Sequence, residues 1–202
     1  MARKSKEQRR QEIIDAFKAT MAEHGYAKAT INRVADRASL TPGLLHYHFK
    51  NKQAILLALI DELVDAQVEG LQQIIEESPS APAKCGALID AFLAVGDEAD
   101  PSAVAAWVSI AAEAVRQSEV RAAFTRAMSR FEGIFEEVIA AGAKSGDFDL
   151  QELSAPACAA ALLATIQGYF TIAATAREVI PAGSAAAATR KMARGLLGTE
   201  AL

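Results

Sequence analysis

The sequence predicts an all-α protein of about nine helices: an N-terminal three-helix unit containing a helix-turn-helix, then a larger C-terminal helical domain. Three observations lead there. Apolar residues recur at three- and four-residue spacing, with no convincing alternating strand. Helix-start residues (Ser5, Thr30, Thr41-Pro42, Asn51) stand directly before such runs. The chain has 202 residues, 51% of them hydrophobic, which is enough to bury a sizeable core.

The first helix is expected over about 6–24. Ser5-Lys6-Glu7-Gln8 has the spacing of a capping box, in which serine and glutamine satisfy each other's backbone amides. Ile13, Phe17 and Met21 follow on one face, and Gly25 offers the conformation that ends a helix. Thr30 caps a short second helix that buries Ile31, Val34, Ala35 and Ala38. Ser39-Leu40 makes a turn. Thr41 then caps a third helix with Pro42 at its first position, where a missing amide costs nothing, and Leu45 and Phe49 point inward.

Asn51 caps a long fourth helix carrying Ile55, Leu56, Leu59, Ile60, Leu63 and Val68, which ends near Ser78-Pro79. Breaks at Ser80–Pro82, Asp100-Pro101, Gly142–Asp149 and Pro181–Gly183 place the later helices at about 83–97, 102–115, 119–144, 152–176 and 184–197. Residues 1–52 are expected to form the DNA-binding domain and 53–202 the ligand-binding and dimerisation domain.

The net charge of −4 conceals a segregation. Up to Gln53 there are eleven Lys and Arg against five acids; beyond it there are ten against twenty. One end of the chain is suited to a polyanion and the other is not. Cys85 and Cys158 stand far apart among small apolar residues, as buried free thiols do in a reducing compartment. The basic start runs into an amphipathic helix with no secretory apolar stretch, so the protein is expected in the cytoplasm.

Residues 30–48 carry the chemistry. Two short helices joined by a tight turn can seat the second helix in a major groove about 12 Å wide. Its outer side would present Thr41, Pro42, Gly43, Leu44, His46 and Tyr47. Gly43 permits close backbone approach, Leu44 suits a thymine methyl, and His46 and Tyr47 offer hydrogen bonds. Lys52 opposes the macrodipole at the start of the fourth helix, a local cost that a phosphate clamp would explain. The arm Arg3-Lys4-Ser5-Lys6 has the composition of a minor-groove arm or of a solvated tail.

The stretch TINRVADRASLTPGLLHYHFKNKQA, Thr30 to Ala54, closely resembles the DNA-binding domain of the TetR (tetracycline repressor) family, specifically over residues 8–60 and loosely beyond. The resemblance implies a homodimeric repressor released from a palindromic double-stranded operator by an unidentified small-molecule effector. By position it implies that Tyr47, His48 and Lys52 bind phosphate, that Thr30 and Arg33 lie near the backbone, and that Thr41 to Leu44 with His46 read bases. Where the family usually has glycine in the turn, this chain has Ser39, which tolerates positive φ less well.

Other chemistries find little footing. His46 and His48 lie about 200° apart on a helix, with no carboxylate or cysteine at ligand spacing, so no metal is expected. No cofactor is expected either. Asp97, Glu98 and Asp100 read as a charged loop with Asp100 as a cap. No nucleophile elbow or phosphate-cradling loop occurs, and an enzyme is not expected.

The second domain is less explicit. Trp107 lies among small residues, and Phe92, Met128, Phe131, Phe135, Tyr169 and Phe170 fall on buried faces, either lining a cavity or filling a core. Glu113 and Gln167 are the polar groups to be turned inward. The later helices resemble those of family members that sense choline-like cations, and Trp107, Glu113 and Tyr169 would then form a cation cage.

Residues 153–176 carry no charge and are long enough to span a membrane, which leaves an alternative reading as a membrane-anchored sensor. The small-residue ridge Ala160, Ala164 and Gly168 favours a helix–helix interface instead. The family resemblance places the last two helices in a four-helix dimer bundle, adding Ile172, Met192 and Leu196.

Overall fold

The computed structural model describes residues 5–93 and 101–202, the side chain of Pro101 excepted. Arg3, Lys4, Asp97, Glu98, Asp100 and the end of the expected fifth helix lie outside them. Among the described residues there are nine α-helices and no strand. They are α1 (Lys6–Lys28), α2 (Ile31–Arg37), α3 (Pro42–His48), α4 (Lys52–Glu77), α5 (Ala81–Leu93), α6 (Pro101–Ala114), α7 (Ser118–Ser145), α8 (Ala155–Thr175) and α9 (Ser184–Leu197). A single 3₁₀ turn, Arg177–Val179, lies between α8 and α9.

Capping residues set the helix starts as their chemistry predicts. The Ser5 amide donates to Gln8 Oε1 at 2.9 Å and the Gln8 amide donates to Ser5 Oγ at 3.1 Å. The Ala54 amide donates to Asn51 Oδ1 at 2.8 Å. Thr41 Oγ1 accepts from the Leu44 amide at 3.3 Å, with Pro42 in the first turn. Gly25 does interrupt the helical conformation, at φ 75° and ψ 163°, a region open essentially only to glycine. One further turn nevertheless follows, so α1 runs to Lys28 and not to residue 24.

Chain packing forms two compact units: residues 1–64 with 100–127, and residues 65–99 with 128–202. The division falls inside α4 and α7 and not at residue 52, because α6 packs along α1.

In the first unit the core is Ile13, Phe17, Met21, Val34, Ala35, Leu45, Ile55, Leu56, Leu59 and Ile60, each 1% exposed or less. These include every inward residue expected of α1; Ile31, Ala38 and Leu63 remain half-buried. In the second unit α9 packs on α5 and α8. Arg190 of α9 forks onto the Asp90 carboxylate of α5, with Nε at 2.7 Å from Oδ1. Both cysteines are buried free thiols, and burial pushes the Cys85 thiol up to about 12.

Candidate nucleic-acid interface

Helices α2 and α3 meet through a turn whose geometry depends on Ser39. Its φ is 55°, the left-handed region, while its amide donates to the Asp36 carbonyl at 3.1 Å and the Leu40 amide donates to Ala35 at 2.8 Å. The turn that usually uses glycine is therefore kept here, with a residue that pays a steric penalty for it.

Beyond the turn, α3 buries Leu45, half-buries His48 and presents the rest. Thr41, Pro42, Gly43, His46, Leu44 (36% exposed) and Tyr47 (73% exposed) all lie open, and nothing stands within 4 Å of where a Gly43 side chain would begin. Leu44 and Tyr47, three residues apart, put an apolar and an aromatic side chain on the same open face. Thr30 and Arg33 of the adjacent α2 region are also exposed. The Thr30 and Thr41 hydroxyls accept from the Arg33 and Leu44 amides at 3.4 and 3.3 Å, longer than good hydrogen bonds.

Two cations brace this part of the first unit, each at a helix C-terminus where positive charge is favoured. Arg10 of α1 donates to the His48 carbonyl at the end of α3 at 2.9 Å, with its guanidinium 4.2 Å above the Phe49 ring. Lys52 of α4 donates to the Tyr26 carbonyl near the end of α1 at 2.8 Å and to Ala27 at 3.4 Å, with its ammonium 4.0 Å above the Tyr26 ring. Burial lowers the Lys52 pKa while Glu113 opposes that. Lys52 is thus already engaged within the protein, a role that its sequence position did not disclose.

A polar chain continues from there. The Gln53 side-chain amide donates to Gln117 Oε1 at 3.3 Å, and Gln117 donates to Glu113 Oε2 at 2.7 Å. Glu113, expected among the ligand residues as a polar group turned inward, is half-buried and accepts this bond from Gln117 in the turn after α6. Arg10, Tyr26, Gln53 and Gln117 had no sequence signal, since their roles depend on neighbours 26 to 64 residues away.

His48 is half-buried, its ring edge-to-face with Tyr47 at 5.1 Å. Burial and then the charges of Arg10, Lys6 and Arg9 lower its pKa. Its Nδ1 is closed off and has no hydrogen-bond partner among the described residues.

The expected ligand residues are distributed over both units. In the first, Trp107 is buried against Phe124, ring centroids 5.1 Å apart. In the second, Phe92 meets Phe131 at 5.6 Å, Phe135 at 6.1 Å and Phe170 at 6.3 Å; Met128, Gln167 and Tyr169 are half-buried. On α8, Ala160, Ala164 and Gly168 are exposed, with open space above Gly168. Ile172 and Met192 are 38% and 56% exposed, and Leu196 is half-buried. Ala161, Leu162, Thr165, Thr189, Met192 and Leu196 line a shallow apolar groove between α8 and α9.

An exposed short helix after a tight turn, clamped by cations on a basic N-terminal unit, defines a helix-turn-helix DNA-binding regulator. The chain belongs to the tetR family of bacterial regulatory proteins: that family's model matches residues 13–59, and the model of the BetI-type transcriptional repressor C-terminal region matches residues 82–198.

It is 25% identical over 146 residues to the fatty acid metabolism regulator protein of Bacillus subtilis, covering 71% of this chain and 73% of that one. It is 31% identical over 114 residues to the transcriptional regulator BetI of Agrobacterium fabrum, covering 56% of this chain and 54% of that one.

Among solved structures, a TetR transcription regulator from Haloarcula marismortui superposes with a TM-score of 0.81 at 23% identity, covering 95% of this chain and 97% of the other. FadR from Bacillus subtilis in complex with stearoyl-CoA gives 0.78 at 22%, covering 93% and 98%. At these identities the structural likeness is one of fold. Helix α8 is long and apolar enough to cross a membrane, but the family places it in a DNA-binding regulator, and the membrane-anchored alternative gives way.

Proposed function

We propose that this protein represses transcription from a palindromic operator as a homodimer and is released by a small organic effector. The observation that carries the reading is the exposure of the outer face of α3 on a basic, cation-clamped unit. Thr41 to Leu44 and His46 read base edges. Tyr47 and His48 contact phosphates, Thr30 and Arg33 lie beside the backbone, and Lys52 places its charge there while fastening α1 to α4.

The second subunit packs on the α8–α9 face, where Ala160, Ala164 and Gly168 permit close approach and Ile172, Met192 and Leu196 supply apolar contact. Dimerisation then sets two reading helices about one DNA turn apart, ~34–36 Å. The effector has an apolar body, consistent with the phenylalanine cluster around Phe92 and with a relative solved with stearoyl-CoA. It acts by preferring a conformation whose reading helices are misplaced. The protein works in the cytoplasm, where its DNA is.

Selection from a pool of random duplexes tests this. A palindromic consensus bound by a dimer is expected, with affinity falling steeply as salt rises. Recovery of no consensus would contradict it. Long-chain acyl-CoA and choline, added separately to the selected complex, distinguish an apolar from a cationic effector.

A further inference from the structure

Resting on that reading of α3, we infer that His48 takes up a proton when the protein binds DNA, so that the grip on the duplex tightens as the pH falls. The geometry assigns His48 this role through two independent features. The first is its position: it closes α3, directly behind the exposed Tyr47, whose ring packs edge-to-face on the imidazole. The second is an orphaned polar atom, Nδ1, closed off from solvent and without a hydrogen-bond partner. An imidazolium N–H at that atom needs an acceptor, and a phosphate oxygen is a strong one.

The charged groups acting on the ring are of one sign. Lys6, Arg9 and Arg10, all on α1, raise the cost of a proton on His48, and Arg10 is held close by its 2.9 Å hydrogen bond to the His48 carbonyl. Arg9 is partly offset by Glu12 at 2.8 Å. From α3 itself, Tyr47 contributes a neutral ring. Burial acts in the same direction as the cations. In the free protein these effects together keep the imidazole neutral below the usual histidine midpoint.

A DNA phosphate opposes these effects. It neutralises the repulsion from the three cations and supplies the missing acceptor, so the imidazole midpoint rises in the complex. The linkage sign follows. A midpoint higher in the complex than in the free protein means protons are bound with DNA. Affinity is then gained as pH falls through the complex's midpoint, and the gain is complete below the free protein's midpoint. A midpoint shift of one pH unit corresponds to about tenfold in affinity for each subunit. Contact with Nδ1 requires the closed-off ring edge to open in the complex.

The chain contains three histidines, His24, His46 and His48, which makes the test direct. The three imidazole C2–H resonances of the full-length protein are followed against pH, alone and with a random-sequence duplex at low salt. His24→Gln and His46→Gln assign two of them and leave His48 by elimination, without altering it. The expected result is a His48 midpoint raised by about one pH unit in the complex.

Duplex affinity measured from pH 8 to pH 5.5 should strengthen in the wild type and in His24→Gln, and lose most of that strengthening in His48→Gln. Duplex binding with an unmoved His48 midpoint overturns the inference and leaves the DNA-binding reading intact. No duplex binding at any pH overturns both.

Discussion

Lys52 Nζ lies 2.8 Å from the Tyr26 carbonyl and 4.0 Å above the Tyr26 ring, so one ammonium caps the end of α1 and binds the first turn of α4 to it. A lysine at a helix start is unfavourable for its own helix. Here the same charge is favourable for the helix that ends beside it, which accounts for its placement.

Lys52→Ala should therefore do two things at once. Losing a charged hydrogen bond and a cation–π contact should destabilise the protein by about 1–2 kcal/mol. Removing the charge should also weaken binding to all duplexes alike and flatten the salt slope by about one. Thermal melts and salt titrations of the same variant check both, and a variant with unchanged stability would remove the clamp.

Ser39 occupies the left-handed region at φ 55°. Ser39→Gly should relieve a steric penalty of roughly 1–2 kcal/mol, less the greater entropy lost by glycine, for a net gain of about 0.5–1 kcal/mol. A melting temperature higher by roughly 1–3 °C is expected, and a lower one would show that the turn is not strained by serine.

Much of this was legible along the chain because it depends on near neighbours. Ser5–Gln8, Thr41-Pro42 and Asn51 each act across three residues, and the helix starts they set agree with the structure. The outer face of α3 followed from one inward pair, Leu45 and Phe49. What could not be read depends on contacts between distant segments. Nothing at Gln117 signals its hydrogen bond to Gln53, and nothing at Arg10 signals the end of α3. Glu113 was expected to be turned inward; its hydrogen bond to Gln117, one turn on, had no signal in its own helix.

The thiols provide a check on the second unit. Burial raises both Cys85, to about 12, and Cys158. The thiolate, which is the reactive form, is then scarce near neutral pH. Neither cysteine should be alkylated in the native protein at pH 8, and both should react once it is unfolded. Rapid native labelling of Cys85 would show that the α5–α9 packing opens.

Gly168→Leu probes the dimer face. Open space stands above Gly168 in one subunit, so the leucine should be tolerated by the fold and obstruct only a partner. Overpacking a close interface costs about 1–3 kcal/mol, and both subunits carry it. Sedimentation should show a wild-type dimer and a largely monomeric variant, whose operator affinity collapses although no DNA-facing residue has changed. A dimeric variant with normal operator binding would remove α8 from the interface.

That α3 reads bases is tested by duplex selection repeated with His46→Ala beside the wild type. His46 is exposed on α3, and the fold does not depend on it. Loss of a base contact should relax preference by roughly 1–3 kcal/mol at one position in each half-site, leaving the other positions and non-specific affinity as they were. The same consensus from both proteins, with the same strength at every position, would contradict the assignment of His46 as a reading residue. A wild type that selects no sequence at all would contradict the claim itself.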